Sequence, residues 1–275
     1  MKKSLIFFLL IGLFLFSVNA QQYVSFSTSE PGAPEINVLT SNAQSVSFEV
    51  TIPCIYTIDT VVNNVAFTRL FLPGGAAINP SGSPELPVLK YKVAIPICSA
   101  TTIDYNVLSR STMNSCWVYP VPEIVPAKNF SGKTIPVEQF TFNPSAYAQP
   151  HLSEQEAIIS SSGSFRSQLY VEIMVRPIEF CPVTRQLSVI DKMEITLTFT
   201  NPQGGLRQNL GIFNKVASSA FINYEDDGIS ALINDKAFEK EGIYSRKCAV
   251  DYIERYFPSQ EYSSGLSHHL RQSVF

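Results

Sequence analysis

Apolar and polar positions alternate strictly from Val46 onward. Val46, Phe48, Val50 and Ile52 fall on one side of an extended chain, and Ser47, Glu49 and Thr51 on the other. The same period of two returns at Ile103, Tyr105 and Val107, at Leu169, Val171, Ile173 and Val175, and at Met193, Ile195, Leu197 and Phe199. Another run, 65–72, follows the turn signal Asn63-Asn64 and stops at Pro73-Gly74-Gly75. The stretch 81–96, SGSPELPVLKYKVAIP, is a strand entered through turn residues and closed by Pro96. Its Leu89, Tyr91, Val93 and Ile95 share one face; Lys90, Lys92 and Ala94 share the other. The period changes once before residue 225. Phe213, Val216, Ala217, Ala220, Phe221 and Tyr224 form a single helical stripe.

These runs predict an all-β fold: an antiparallel β-sandwich, jelly-roll-like, over about residues 22–205, with a short closing α-helix near 212–224. The stretch 168–200 carries the longest alternation and a clear turn at 181–185. It reads as a hairpin at the centre of the sandwich. Residues 109–166 are less regular and rich in proline, with short strands expected near 114–119 and 134–142. A hydrophobic content of 45% with 19 Phe is enough to build a core, and 18 Pro fit strands and turns better than helices. From Glu225 charges become dense. A short amphipathic helix about 249–256, stopped by Pro258, and a loosely structured polar tail are expected there.

The N-terminus bears on location. Lys2 and Lys3 precede an apolar run at 5–16, and Ser17-Val18-Asn19-Ala20 follows. That is the pattern of a signal peptide cut after Ala20, and the run is too short to span a bilayer well. The expected organisation is a signal peptide (1–20), a β-sandwich (21–225) and a charged tail (226–275). The protein is expected to be exported, periplasmic or extracellular, without a stable membrane anchor. A net charge of −3 gives no basis for nucleic-acid binding. Five cysteines (Cys54, Cys98, Cys116, Cys181 and Cys248) leave an odd thiol if the others pair, and none has Cys-x-x-Cys spacing. Export permits disulfides, while buried free thiols fit the first four equally well.

Four segments in order resemble the propeptides of gingipain-type secreted cysteine proteases. GSPELPVLKYKVAIP is similar to that family's Gly-x-Pro-x-Leu-Pro segment. The strands 103–109 and 116–120 fit its next hairpin. Pro177, Phe180, Pro182, Thr184, Arg185 and Leu187 look like the signature of its penultimate hairpin. Ser219-Ala220-Phe221-Ile222-Asn223-Tyr224 looks like the short helix and Asn-Tyr that close the propeptide ahead of the protease. Together they cover about 35–225. The resemblance implies a sandwich that keeps a protease inactive during export and assists its folding, with no catalysis and no cofactor of its own. The partner implied is a gingipain-like cysteine protease domain, in cis or in trans. Residues 225–275 show no βαβ pattern, so the reading is a free-standing propeptide-like protein or a truncated gene product. The family sends a loop residue into the enzyme's cleft, an Arg where the pocket is acidic. The stretch similar in position, 147–153 (YAQPHLS), offers His151 and Leu152 instead, with Arg110 and Arg166 as nearby alternatives.

Other chemistry is thinly supported. Cys248 with His268 and His269 lacks the oriented geometry a Cys–His dyad needs, and two tail histidines lack a third metal ligand. Glu225-Asp226-Asp227 has no calcium-loop spacing, and Ser162-Gly163-Ser164 is no nucleophile elbow. The alternative class is a secreted adhesion or carbohydrate-binding sandwich. It would need exposed aromatics, for which Trp117 and Tyr119 are the candidates, though a core pair fits them as well.

Overall fold

The alternating runs become strands that bury their apolar side against one shared core. The computed structural model describes residues 22–25, 32–148 and 155–224. In the first sheet, β3 (Ser45–Thr51) lies antiparallel between β2 (Glu35–Ser41) and β14 (Gln186–Thr200). β8 (Ala100–Met113) runs along the other side of β14, and β13 (Ile178–Cys181) pairs with its first residues. In the second sheet the order is β11 (Ala157–Phe165), β12 (Gln168–Val175), β7 (Pro87–Ile95) and β6 (Ala76–Ala77). Phe48, Ile195 and Leu197 from the first sheet and Val93, Ile173 and Val175 from the second belong to one apolar cluster, all fully buried. Phe48 meets Tyr91 edge-on across the interface, with centroids 6.4 Å apart. This is the sandwich that the periodicity predicts.

Two smaller sheets complete the chain. β1 (Gln22–Ser25), β4 (Cys54–Val62) and β5 (Val65–Phe71) form a three-stranded sheet that adds Ile55 and Leu70 to the main core. Asn63 and Asn64 join β4 to β5, both with positive φ (50° and 63°), as the tight turn between two twisted strands requires. Among the described residues, β9 (Glu123–Lys128) and β10 (Thr134–Gln139) pair only with each other.

Three expectations need correction. The stretch 168–200 is not a hairpin: β12 and β14 lie in opposite sheets. Pro177 supplies no N–H to continue the ladder, and the chain crosses there from the second sheet to the first, where its carbonyl accepts from Ile190 N. Each strand is nevertheless flanked by partners on both sides in its own sheet, and the facing assigned to both is observed. Second, 103–109 pairs with β14 and not with 116–120, and 114–119 is no strand. Residues 118 and 120 make isolated bridges instead, Val118 to Thr68 and Pro120 to Pro84. Third, the helix is shorter than its stripe. A 3₁₀ turn (Gly211–Phe213) leads into α2 (Asn214–Ala220), and Phe221 is already extended. Ala94, on the face shared with Lys90 and Lys92, is fully buried beneath this segment, in a second small cluster with Leu210, Ala217, Phe221 and Tyr224.

The two central strands yield a direct test. Val171 is 3% exposed and Ile195 is fully buried. Val171→Asp or Ile195→Asp places an unpaired charge in the shared core and is expected to cost roughly 3–5 kcal/mol. The check is urea unfolding followed by circular dichroism; a variant that melts with the parent would mean that the face is misassigned.

Candidate functional site

The loop picked out by the sequence is held firmly at both feet. On the near side, α1 (Pro144–Tyr147) starts with Pro144, and Asn143 Oδ1 accepts a hydrogen bond from Ser145 N at 3.1 Å. Tyr147 is buried and its hydroxyl donates to the Val118 carbonyl at 2.8 Å. Its ring lies 4.6 Å from Phe142 and 5.0 Å from Trp117. Burial, with the charge of Glu85 adding to it, pushes the Tyr147 phenol upward, so it stays a neutral donor. On the far side, Arg176 N donates to Glu156 O at 2.7 Å, and Arg176 Nη1 to Gln155 O at 3.0 Å. His151 and Leu152 lie between these feet, in 149–154, outside the described residues.

The two alternative arginines are already engaged. Arg110, on β8, pairs with Glu156 at the far foot and with Glu179 at 3.2 Å on β13. With Ala146 from the near foot, these residues line a cavity of about 210 Å³. Arg110 therefore ties the loop's base to the first sheet. Arg166 sits at φ 56° in the turn from β11 to β12, with its guanidinium 3.7 Å from the centre of the Phe213 ring. Trp117 and Tyr119 also turn inward. Tyr119 is buried against Phe67 and Phe140, and Trp117 packs on Tyr147 and Phe180 with Arg185 over its ring. A carbohydrate platform built on this pair loses its exposed aromatics.

The closing motif has a geometry that periodicity does not reveal. Between Val88 and Ile95, β7 pairs with β12 on one side and, among the described residues, has no strand on the other. Asn223, 3% exposed, fills that edge. Its Oδ1 accepts from Ala94 N at 2.8 Å and its Nδ2 donates to Ala94 O at 2.9 Å. Ile222 N donates to Lys92 O at 3.0 Å. Tyr224 is held in turn, with its hydroxyl 2.6 Å from the Gln208 carbonyl and 2.9 Å from Asn214 Oδ1. Asn214 Oδ1 also accepts from Leu210 N, which fixes the start of the helical segment. The Asn-Tyr ending and the SGSPELPVLKYKVAIP stretch, read as separate motifs, are thus one contact.

Two polar clusters were missed in the sequence. Gln168, fully buried, donates through Nε2 to Ile95 O and Leu206 O and accepts from Gln208 N. A Gln at the head of a strand carries little signal, because nothing local says that it turns inward. Arg69, on β5, holds Glu85 by two hydrogen bonds (3.0 and 3.1 Å) and reaches Glu138 on β10 at 3.1 Å. Burial opposes the Arg69 cation, but Glu85 and then Glu138 more than offset it, so the guanidinium stays charged. Burial raises the Glu85 carboxyl despite Arg69, and the charge of Glu138 adds to the rise. Cys54, Cys98 and Cys116 are free thiols. Cys248, His268 and His269 lie outside the described residues. Among the described residues, no helix is long and apolar enough to cross a membrane.

This sandwich has the fold of a gingipain pro-domain. The chain belongs to the Propeptide_C25 family, whose profile matches residues 27–232. Lys-gingipain of Porphyromonas gingivalis is 22% identical over 179 residues, which is 64% of this chain and 10% of that protein; Lys-gingipain W83 gives the same figures. The chain thus spans about a tenth of the curated relatives it matches, and what it shares with them is the propeptide segment. Two solved structures share the fold. One is a complex of the pro- and mature domains of RgpB from Porphyromonas gingivalis, with TM-score 0.58 and 18% identity over 70% of this chain and all of that one. The other, on the zymogenic latency of gingipain K from the same organism, has TM-score 0.53 and 15% identity over 66% of this chain and 98% of that one.

The Asn223 strap is testable. Asn223→Ala leaves the buried Ala94 N–H and C=O without partners and is expected to cost about 2–4 kcal/mol. Asn223→Asp is expected to be worse at neutral pH, because a carboxylate cannot donate to the Ala94 carbonyl. It should recover stability as pH falls and the acid regains a proton to donate. Chemical denaturation of both variants across pH checks this; equal stability of Asn223→Ala and parent would remove the strap from the fold's energetics.

Proposed function

We propose that this chain is a non-catalytic propeptide module that inhibits a gingipain-like secreted cysteine protease and assists its folding, acting in cis or in trans. The observation that carries the reading is the family membership, together with a fold shared with a pro-domain solved in complex with its mature domain. Inhibition is steric: a loop held at both feet lies across the cleft and keeps substrate out. In this reading 147–153 is that loop, with Leu152 or His151 toward the specificity pocket. No cofactor takes part. Residues 1–20 direct export and are removed at Ala20–Gln21, which places the module in the periplasm or outside the cell. Residues 226–275 form a charged tail outside the sandwich.

An acidic, Arg-selective pocket binds such a loop poorly, because its carboxylate would be desolvated without a partner. Leu152→Arg is therefore expected to strengthen inhibition of an Arg-specific gingipain by ~2 kcal/mol. The measurement is the inhibition constant of parent and variant against one such enzyme; equal values would take this loop out of the mechanism. The same preparation is expected to show no peptidase activity of its own, and hydrolysis that disappears in Cys248→Ala would overturn the non-catalytic assignment. N-terminal sequencing of the secreted protein is expected to begin at Gln21.

A further inference from the structure

We propose that the β9–β10 hairpin is a docking arm that seats Phe130 in an apolar, acid-rimmed socket on the partner protease domain. The inference rests on the partner proposed above and adds the surface and the chemistry that recognise it. Among the described residues, the two strands pair only with each other. A lone two-stranded ribbon is marginal in water, and its apolar positions gain by being covered. The register sets Val125 opposite Val137 and Ala127 opposite Ile135, so these four share one face, and Val137 is 39% exposed. The strip runs toward a tip where Phe130 is wholly exposed.

The tip is built to hold its shape. Asn129 N donates to Lys133 O, and Gly132 N to Asn129 O. Asn129 Oδ1 accepts from Ser131 N, Ser131 Oγ and Lys133 N, at 2.8 to 3.1 Å. Gly132 takes φ 75°, which a side chain would resist. At the base, Glu138 joins Arg69, and Phe140 lies 5.6 Å from Phe67 and 5.7 Å from Tyr119. A large side chain displayed without cover on a braced tip loses little freedom on binding, as an anchor residue should.

Two further features define the partner. Lys128 and Lys133 flank the tip and are exposed, so the socket that fits has an apolar floor and acidic groups at its rim. Pro126 stands opposite Pro136, so each strand lacks a donor at the middle of its outer edge. Pairing with another strand is thereby discouraged, and recognition falls to side chains.

The test is binding of the secreted chain to the purified catalytic domain of Lys-gingipain, for the parent, for Phe130→Ser and for the double charge reversal Lys128→Glu with Lys133→Glu. Phe130→Ser is expected to weaken binding at least tenfold with the unfolding midpoint unchanged, since Phe130 packs on nothing among the described residues. The charge reversal is expected to weaken binding and flatten its salt dependence. Binding by the parent that Phe130→Ser leaves unaltered overturns the docking arm and spares the protease partner. No binding by the parent overturns the partner, and the arm falls with it.

Discussion

The outer layer of this protein depends on how one strand edge is closed. β7 sits deep in the second sheet, with Val93 and Ala94 fully buried, yet beyond Val88 no strand among the described residues pairs with the edge opposite β12. A buried N–H or C=O without a partner costs about as much as a large core truncation, and an open edge also invites pairing with other chains. The Asn223 amide answers both needs by presenting an acceptor and a donor in the spacing of a peptide group. The helix ends at Ala220 for the same reason: Phe221 must extend for Ile222 and Asn223 to reach β7.

The same device recurs. Gln168 ties Ile95 to the segment at Leu206 and Gln208, Asn214 holds Leu210, Asn143 starts α1, and Asn129 shapes the hairpin tip. A neutral amide carries both a donor and an acceptor and is far cheaper to bury than a charge. Where a charge is used, it is multiply satisfied. Arg69 serves two carboxylates and lies 4.9 Å from the centre of the Tyr119 ring, joining the three-stranded sheet, the approach to β7 and the base of the hairpin.

Strand identity and facing were legible in the sequence, because half-buried strands write their burial as a period of two. The runs at Val46, Leu89, Val171 and Met193 point where their alternation says. Pairing was less legible. Alternation is the same whether 168–175 pairs with 186–200 or faces it from the opposite sheet, and only the meaning of Pro177 separates the two. The burial of Ala94 was not legible because its cover comes from residues more than a hundred positions away. The roles of Gln168 and Asn223 were hidden likewise: a buried amide in tertiary contact looks, in sequence, like any surface amide. The loop resembled from the family, at His151 and Leu152, falls where nothing structural is described, whereas the exposed tip at Phe130 drew no attention because a lone Phe between Asn and Ser has no pattern.

The strap at Asn223 and Tyr224 also fixes where the chain leaves the sandwich. Asn223 is lashed to the edge of β7 and Tyr224 to Gln208 and Asn214, so anything joined after them starts from one known spot. A domain attached there would meet this surface as a tethered neighbour, at an effective concentration that short linkers bring to the millimolar range. Under that constraint individually weak contacts suffice for near-complete occupancy. Severing the tether downstream of Tyr224 would leave the sandwich, its strap and every contact intact while returning the partner to bulk dilution. The position of a few hydrogen bonds at one strand edge thus separates the stability of the module from the strength of its hold.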